Sequence, residues 1–206
     1  MLVIIQARSS SKRFPNKILY KIKSKSIISR VLFNISKSKL VTKIVVATSN
    51  DKSDSKFVKL LKKKKIRFYR GSLNNVALRL VKASQKFKSK YFIRISGDSP
   101  LISFKIIDKS IRLFKNNSNA DLITNVFPRS FPSGQSVEIV KTKIIKDNLS
   151  KMNISEKEHV TTYFYKNKSK FKIINFKNYT KKFKNIGKMT IDYKSDVKKL
   201  KKYIRW

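Results

Sequence analysis

With 206 residues, no cysteine and a hydrophobic share of 40%, the chain can bury one sizeable core and has neither a disulfide framework nor a thiolate metal site. Its 51 Lys and Arg against 11 Asp and Glu give a formal net charge of +40, a field that attracts any polyanion. The lysines are spread along the whole length, with no RNP-type aromatic strand, Cys/His finger or helix-turn-helix, which argues against a specific nucleic-acid partner.

The first element is an apolar, β-branched run, Leu2 to Ile5, with the pattern of a buried strand. It is too short for a signal peptide, and no stretch reaches the roughly 18 to 20 apolar residues of a transmembrane helix, so the expectation is a cytoplasmic protein with no membrane partner. The strand delivers a loop with Arg8, Lys12, Arg13 and Lys17 among three serines. Fixed cations and hydroxyls of this kind suit a nucleotide triphosphate; the plainer alternative is a solvated basic turn. Pro15 sets the backbone before Asn16, a residue that tolerates positive φ where Lys17 must turn back.

A helix capped by Ser24 or Ser26 runs through Ser38, with Ile27, Ile28, Val31, Leu32 and Ile35 at helical spacing. Strands are predicted at 43–48 and 66–69, separated by a helix over 53–65 whose apolar face is Phe57, Val58, Leu60 and Leu61. A helix over 74–87 offers Leu78, Leu80, Val81 and Ala83 for burial. The strand at 91–96 breaks at Gly97-Asp98-Ser99-Pro100, and a helix over 103–115 follows. The remaining elements are strands at 121–126 and 136–140, helices at 142–152 and 155–167, strands at 171–176 and 188–191, and a basic terminal helix from Ser195. Alternating strands and helices imply parallel strands with right-handed crossovers and ligands at their carboxyl ends, which gathers the loops 6–17, 70–75 and 97–101 on one edge.

Several stretches, in order, carry a resemblance. The strand followed by Ala7-Arg8, a Ser-rich link and Arg13-x-Pro15-x-Lys17 is joined by VATSND at 46–51, RGS at 70–72 and RISGDSPLI at 94–102. FPSGQSVEIV at 131–140, SEKEHVT at 155–161 and MTID at 189–192 complete the set. Together they resemble the sugar cytidylyltransferases of the acylneuraminate and 3-deoxy-octulosonate type, with the short spore-coat-polysaccharide branch as the nearest likeness. The resemblance covers nearly the whole chain. It implies a single α/β nucleotidyltransferase domain over 1–206 with a Rossmann-like, three-layer fold around a mostly parallel sheet, as in nucleotide-diphospho-sugar transferases. A protruding sugar-side or dimerisation subregion is expected around 127–170, and a homodimer is implied.

The implied reaction joins CTP to a small acidic sugar, giving a CMP-sugar and pyrophosphate for surface polysaccharide or glycoconjugate synthesis. The alternatives are a sugar nucleotidyltransferase with another base, or a non-catalytic polyanion binder on the same fold. Matching positions imply catalytic roles for Arg8, Lys17 and Asp98, and nucleotide contacts from Ala7, Arg8, Arg13, Lys17, Gly71, Ser72 and Gly97. Asp98 and Asp192 are the implied ligands of Mg²⁺, which takes a few oxygens and fills its shell with water and phosphate. Sugar contacts are expected from Arg94, Glu138, Glu158 and His159. For Arg94 the residues alone leave open structural pairing or substrate contact; for Glu138, a sugar hydroxyl or a lysine partner; for His159, a structural or a site role.

The chain also departs from the family pattern. Leu73, Asn74, Asn75 and Leu78 stand where acidic residues are usual, as do Ser133 and Ser136, and Asn16 replaces the usual Gly before Lys17. These changes bear on the sugar more than on the reaction type.

Overall fold

The first strand, β1 (Leu2–Gln6), is apolar on both faces, and both are buried: Val3 and Ile5 pack into one hydrophobic cluster and Leu2 and Ile4 into another. A strand with two apolar faces belongs inside a sheet covered on both sides. The computed structural model describes residues 1–11, 13–178 and 187–204, so Lys12 of the basic loop lies outside the described residues.

After β1 come a short hairpin of β2 (Lys21–Ile22) and β3 (Lys25–Ser26), then α1 (Ile27–Ser36), β4 (Lys43–Ser49), α2 (Ser55–Lys63), β5 (Phe68–Gly71), α3 (Val76–Lys86) and β6 (Tyr91–Ser96). The second half carries α4 (Phe104–Lys115), β7 (Leu122–Thr124), β8 (Glu138–Lys141), α5 (Thr142–Asn148), α6 (Ile154–His159), α7 (Thr162–Lys166), β9 (Ile173–Asn175) and α8 (Lys194–Lys201). Seven strands form one sheet in the order β5-β4-β1-β6-β8-β7-β9. β8 runs antiparallel to both its neighbours, and the other pairings are parallel. Helices α1, α2 and α4 cover one face through Val31, Phe57, Leu61 and Ile107, and α3, α5 and α7 cover the other through Leu80, Ile145 and Phe164. The result is the expected three-layer α/β fold with a mostly parallel sheet. Among the described residues, no helix is long and apolar enough to cross a membrane.

Several boundaries differ from those predicted, each for a local reason. The strand expected at 66–69 runs instead from Phe68 to Gly71, because Ile66 is taken up in closing α2. Its N–H donates to the Leu61 carbonyl at 2.9 Å after Lys65 turns left-handed at φ 53. The helix expected over 155–167 is broken into α6 and α7 at buried Val160, where φ is 24, and the hydroxyl of Thr162 reaches back to the His159 carbonyl at 3.3 Å. On α3, Leu78 is only half-buried, and Val76, Ala77 and Arg79 take the inner face. Helix α1 is capped by Ser26, whose Oγ accepts from the Ser29 N–H at 3.3 Å. No strand forms at 188–191; that segment joins no ladder.

Candidate active site

The parallel run of β5, β4, β1 and β6 places the carboxyl ends of these strands on one edge, where an open cleft of about 700 Å³ is found. The first loop supplies Gln6, Ala7, Arg8, Ser10, Ser11, Arg13 and Lys17 to its wall. The connection from β5 into α3 adds Leu73, Asn74, Val76 and Arg79, the end of β6 adds Ser96, Gly97 and Asp98, and Glu158, His159 and Asp192 close the rim.

A buried carboxylate holds the first loop in shape. Asp54, with no exposed surface, accepts from the Ser9 N–H at 2.5 Å, the Thr48 hydroxyl at 2.8 Å, the Ser49 N–H at 2.9 Å and the Ser49 hydroxyl. It thereby ties the loop after β1 to the end of β4. Burial pushes its pKa up, but these hydrogen bonds outweigh burial and the net shift is downward. A carboxyl with a depressed folded pKa adds stability that is present above its unfolded pKa and lost as pH falls through the folded value. Asp54→Asn, which turns an amide donor toward donors, is expected to lower unfolding stability by roughly 2–4 kcal/mol at neutral pH. Urea denaturation checks this, and the gap to the unmodified chain should narrow as acid protonates Asp54.

At the far end of the loop, Asn16 adopts the left-handed conformation at φ 56 and its N–H returns to the Ser9 carbonyl at 2.9 Å. The chain turns there into Lys17, whose ammonium is directed at the cleft. Lys17 Nζ donates to Asp98 Oδ2 at 3.0 Å, Asp192 Oδ1 at 3.2 Å and the Ile191 carbonyl at 2.9 Å. The two aspartates, 94 positions apart in the chain as 192 minus 98, therefore converge on one point. Arg13 reaches Asp192 Oδ1 at 3.3 Å and Lys188 reaches its Oδ2 at 2.8 Å. Burial raises the Asp192 pKa, yet the Lys188 and Lys17 ammoniums dominate and bring it down to about 2.

Asp192 arrives by a different route from the strand end expected for it. The Ile191 N–H donates to the Asp98 carbonyl at 3.0 Å, and the Met189 N–H to the Ser133 carbonyl at 2.7 Å. Fully buried Gln135 donates to the Leu101 carbonyl at 2.6 Å and accepts from the Ser103 N–H at 3.0 Å. Gly134, at φ +94, lies so close that a Cβ there would sit 2.6 Å from the Met189 carbonyl carbon. The FPSGQS stretch thus clamps the segment carrying Asp192 beside the loop carrying Asp98. Gly97 serves a similar close approach: a Cβ would stand 2.6 Å from the Ala7 Cβ, so the ends of β1 and β6 can lie side by side only with glycine there.

Other expected site residues fall into two groups. Arg8, Glu158 and His159 line the cleft, but Arg8 is paired to Glu158 at 2.7 Å and also donates to the Leu73 carbonyl at 3.3 Å. Arg94 and Glu138 lie outside the lining, in facing register on β6 and β8, and form an ion pair with each other. Arg94 Nε donates to Gln6 Oε1 at 2.8 Å, and Glu138 accepts from the Tyr165 hydroxyl. Burial, followed by the Glu138 charge, pushes the Tyr165 phenol up, so it remains a donor. Gly71 and Ser72 also lie outside the lining. They shape the turn, with Ser72 Oγ accepting from the Asn75 N–H at 3.0 Å, while Leu73 and Asn74 face the cleft.

Arg79 was not among the expected site residues. It is 2% exposed, donates to the Ser72 carbonyl at 2.6 Å, and has its pKa lowered to about 10 by burial and then by the nearby Arg8 charge. A cation between Val76, Leu80 and Ala83 on the apolar side of a helix is the sequence signal that marks it.

Among solved structures, a cytidylyltransferase from Leptospira borgpetersenii superposes with a TM-score of 0.91 at 31% identity, covering 100% of this chain and 88% of that one. A CMP:2-keto-3-deoxy-manno-octonic acid synthetase complexed with CTP has a TM-score of 0.73 at 14% identity, covering 98% and 97%, a likeness of fold. The spore coat polysaccharide biosynthesis protein SpsF of Bacillus subtilis is 29% identical over 210 residues, which is 98% of this chain and 85% of that protein. The cytidylyltransferase family pattern matches from residue 2 to residue 205, through every segment that builds the cleft, and the chain belongs to the cytidylyltransferase family.

Proposed function

We propose that the chain activates a small acidic sugar with CTP, releasing pyrophosphate and forming a CMP-sugar for surface polysaccharide synthesis. The observation that carries this reading is the convergence of Lys17 on Asp98 and Asp192, beside Arg8 and Arg13, at the carboxyl edge of a cytidylyltransferase sheet. A sugar hydroxyl oxygen attacks the α-phosphorus and gives up its proton to solvent, the bond from that phosphorus to the bridging oxygen breaks, and pyrophosphate departs with the electron pair. The protein's part is position and charge. Arg8, Arg13 and Lys17 bind the triphosphate oxygens, Ala7 and Gly97 let the nucleotide approach the backbone, and Gly71 and Ser72 hold the turn that presents Leu73 and Asn74. Glu158 and His159 face the sugar, and Arg94 and Glu138 act on it through Gln6.

Asp98 and Asp192 fit Mg²⁺ in kind and number. Both present an oxygen to a common point, and Mg²⁺ takes a few carboxylate oxygens and fills its shell with water and phosphate. Bound there, Mg²⁺ would offset negative charge developing on the phosphate oxygens.

The same reading treats the +40 charge as background. Polynucleotide binding should then be sequence-blind and fall by roughly 10³-fold or more between 50 and 200 mM salt, whereas CTP with Mg²⁺ should still raise the melting temperature. Fluorescence anisotropy with DNA and RNA oligomers, beside thermal shifts with CTP, checks both. Tight, sequence-selective oligomer binding that persists at the higher salt would favour a polyanion-binding protein on this fold.

A further inference from the structure

The cation position between Asp98 and Asp192 is held by the protein itself. An ammonium has three N–H donors, and Lys17 Nζ has three oxygen acceptors, one from each aspartate and the Ile191 carbonyl, at 2.9 to 3.2 Å. Its side chain is only 12% exposed, so the arrangement sits mostly out of solvent. Asp192 has no free edge: Oδ1 faces Lys17 and Arg13, and Oδ2 faces Lys188. Lys188 is fixed in turn by Asp196 at 3.1 Å, which also accepts the backbone N–H groups of Asp192 and Tyr193. Three cations, Arg13, Lys17 and Lys188, thus balance three carboxylates, Asp98, Asp192 and Asp196. A divalent ion bridging Asp98 and Asp192 would have to expel an ammonium and would leave the cleft with surplus positive charge, next to Arg79.

We propose that Lys17 is an internal stand-in for the metal: it fills the site in the free protein, and a triphosphate draws it away and so opens the two carboxylates to a divalent cation. The inference rests on the nucleotidyl-transfer reading for the identity of the triphosphate. Its content is an order of binding. The free chain takes no metal, and nucleotide and metal each strengthen the other by the same factor, because linkage is reciprocal.

The test uses Mn²⁺ as the probe, followed by water-proton relaxation, with no sugar present so that no turnover occurs. Free protein should show no saturable Mn²⁺ site beyond that of Asp98→Asn, and addition of CTP should create one site per chain, after correction for Mn²⁺ held by CTP in solution. Lys17→Gln, without nucleotide, should bind Mn²⁺ at least about tenfold more tightly than the unmodified chain, and adding Asp98→Asn should remove that gain. Lys188→Gln, at a more exposed position, opens the other edge of Asp192 and should show a smaller gain, which keeps the idea testable if Lys17→Gln does not fold. Saturable Mn²⁺ binding to the free, unmodified chain, as tight as with CTP, would overturn the proposal. A gain in Lys17→Gln with no site created by any nucleoside triphosphate would overturn the proposed order of binding and count against the nucleotidyl-transfer reading as well, whereas metal binding to the free chain would overturn the order of binding alone.

Discussion

Lys17→Met is expected to lower pyrophosphate release by roughly 10²- to 10³-fold, the loss seen when one preorganised donor to a developing charge is removed from a water-poor site. Lys63→Met is the control, because Lys63 lies exposed at the end of α2 while Lys17 is pinned between two aspartates. Steady-state rates for both variants, with circular dichroism to verify the fold, make the measurement. Equal, small effects of the two substitutions would reduce the loop of Arg8, Arg13 and Lys17 to a solvated basic turn.

Asp98→Asn and Asp192→Asn are each expected to abolish the thermal shift produced by CTP with Mg²⁺. At ligand concentrations near 100 times Kd that shift is worth about 2.7 kcal/mol, or roughly 5–10 °C for a chain of this size. Read from the sequence alone, two aspartates left without metal in so basic a chain pair with nearby lysines, and replacing either would leave the empty protein roughly as stable, or more so by relieving carboxylate repulsion. The structure shows such a pairing, with Lys17 between both carboxylates, so each substitution removes an ion pair and should cost about 1 kcal/mol in the absence of ligand. Thermal-shift titrations of the three proteins separate these effects. Full shifts in both variants would make the aspartates structural and the mechanism wrong.

What was legible in the sequence was whatever depends on neighbours along the chain. The strand Tyr91–Ser96 is an apolar run closed by Gly97, and its boundaries match the reading residue for residue. The left-handed turn at Asn16 was likewise readable, since only a few residue types accept that backbone. Contacts between distant segments were not readable. Asp54 looks like an ordinary turn carboxylate until Ser9, 45 residues away, donates to it across the sheet edge. Arg94 and Glu138 each allowed two readings, and only the antiparallel register of β6 with β8 shows that they are each other's partner. The alternation of Met189 and Ile191 with polar neighbours imitates a strand. Its hydrogen bonds go instead to Ser133 and Asp98, because the segment is clamped between two loops instead of laid beside a ladder. Arg79 is the opposite case: its signal, a cation on an apolar helix face, lies wholly within the local sequence.

The measurement that bears most directly on nucleotidyl transfer is pyrophosphate release across the four nucleoside triphosphates with Mg²⁺ and a panel of acidic sugars. With CTP and at least one of these sugars, the account expects sugar-dependent pyrophosphate together with an equal amount of CMP-sugar, and far slower release from ATP, GTP and UTP. Sugar-dependent release from another nucleotide but not from CTP, or none from any nucleotide while CTP binds in the cleft, would contradict it.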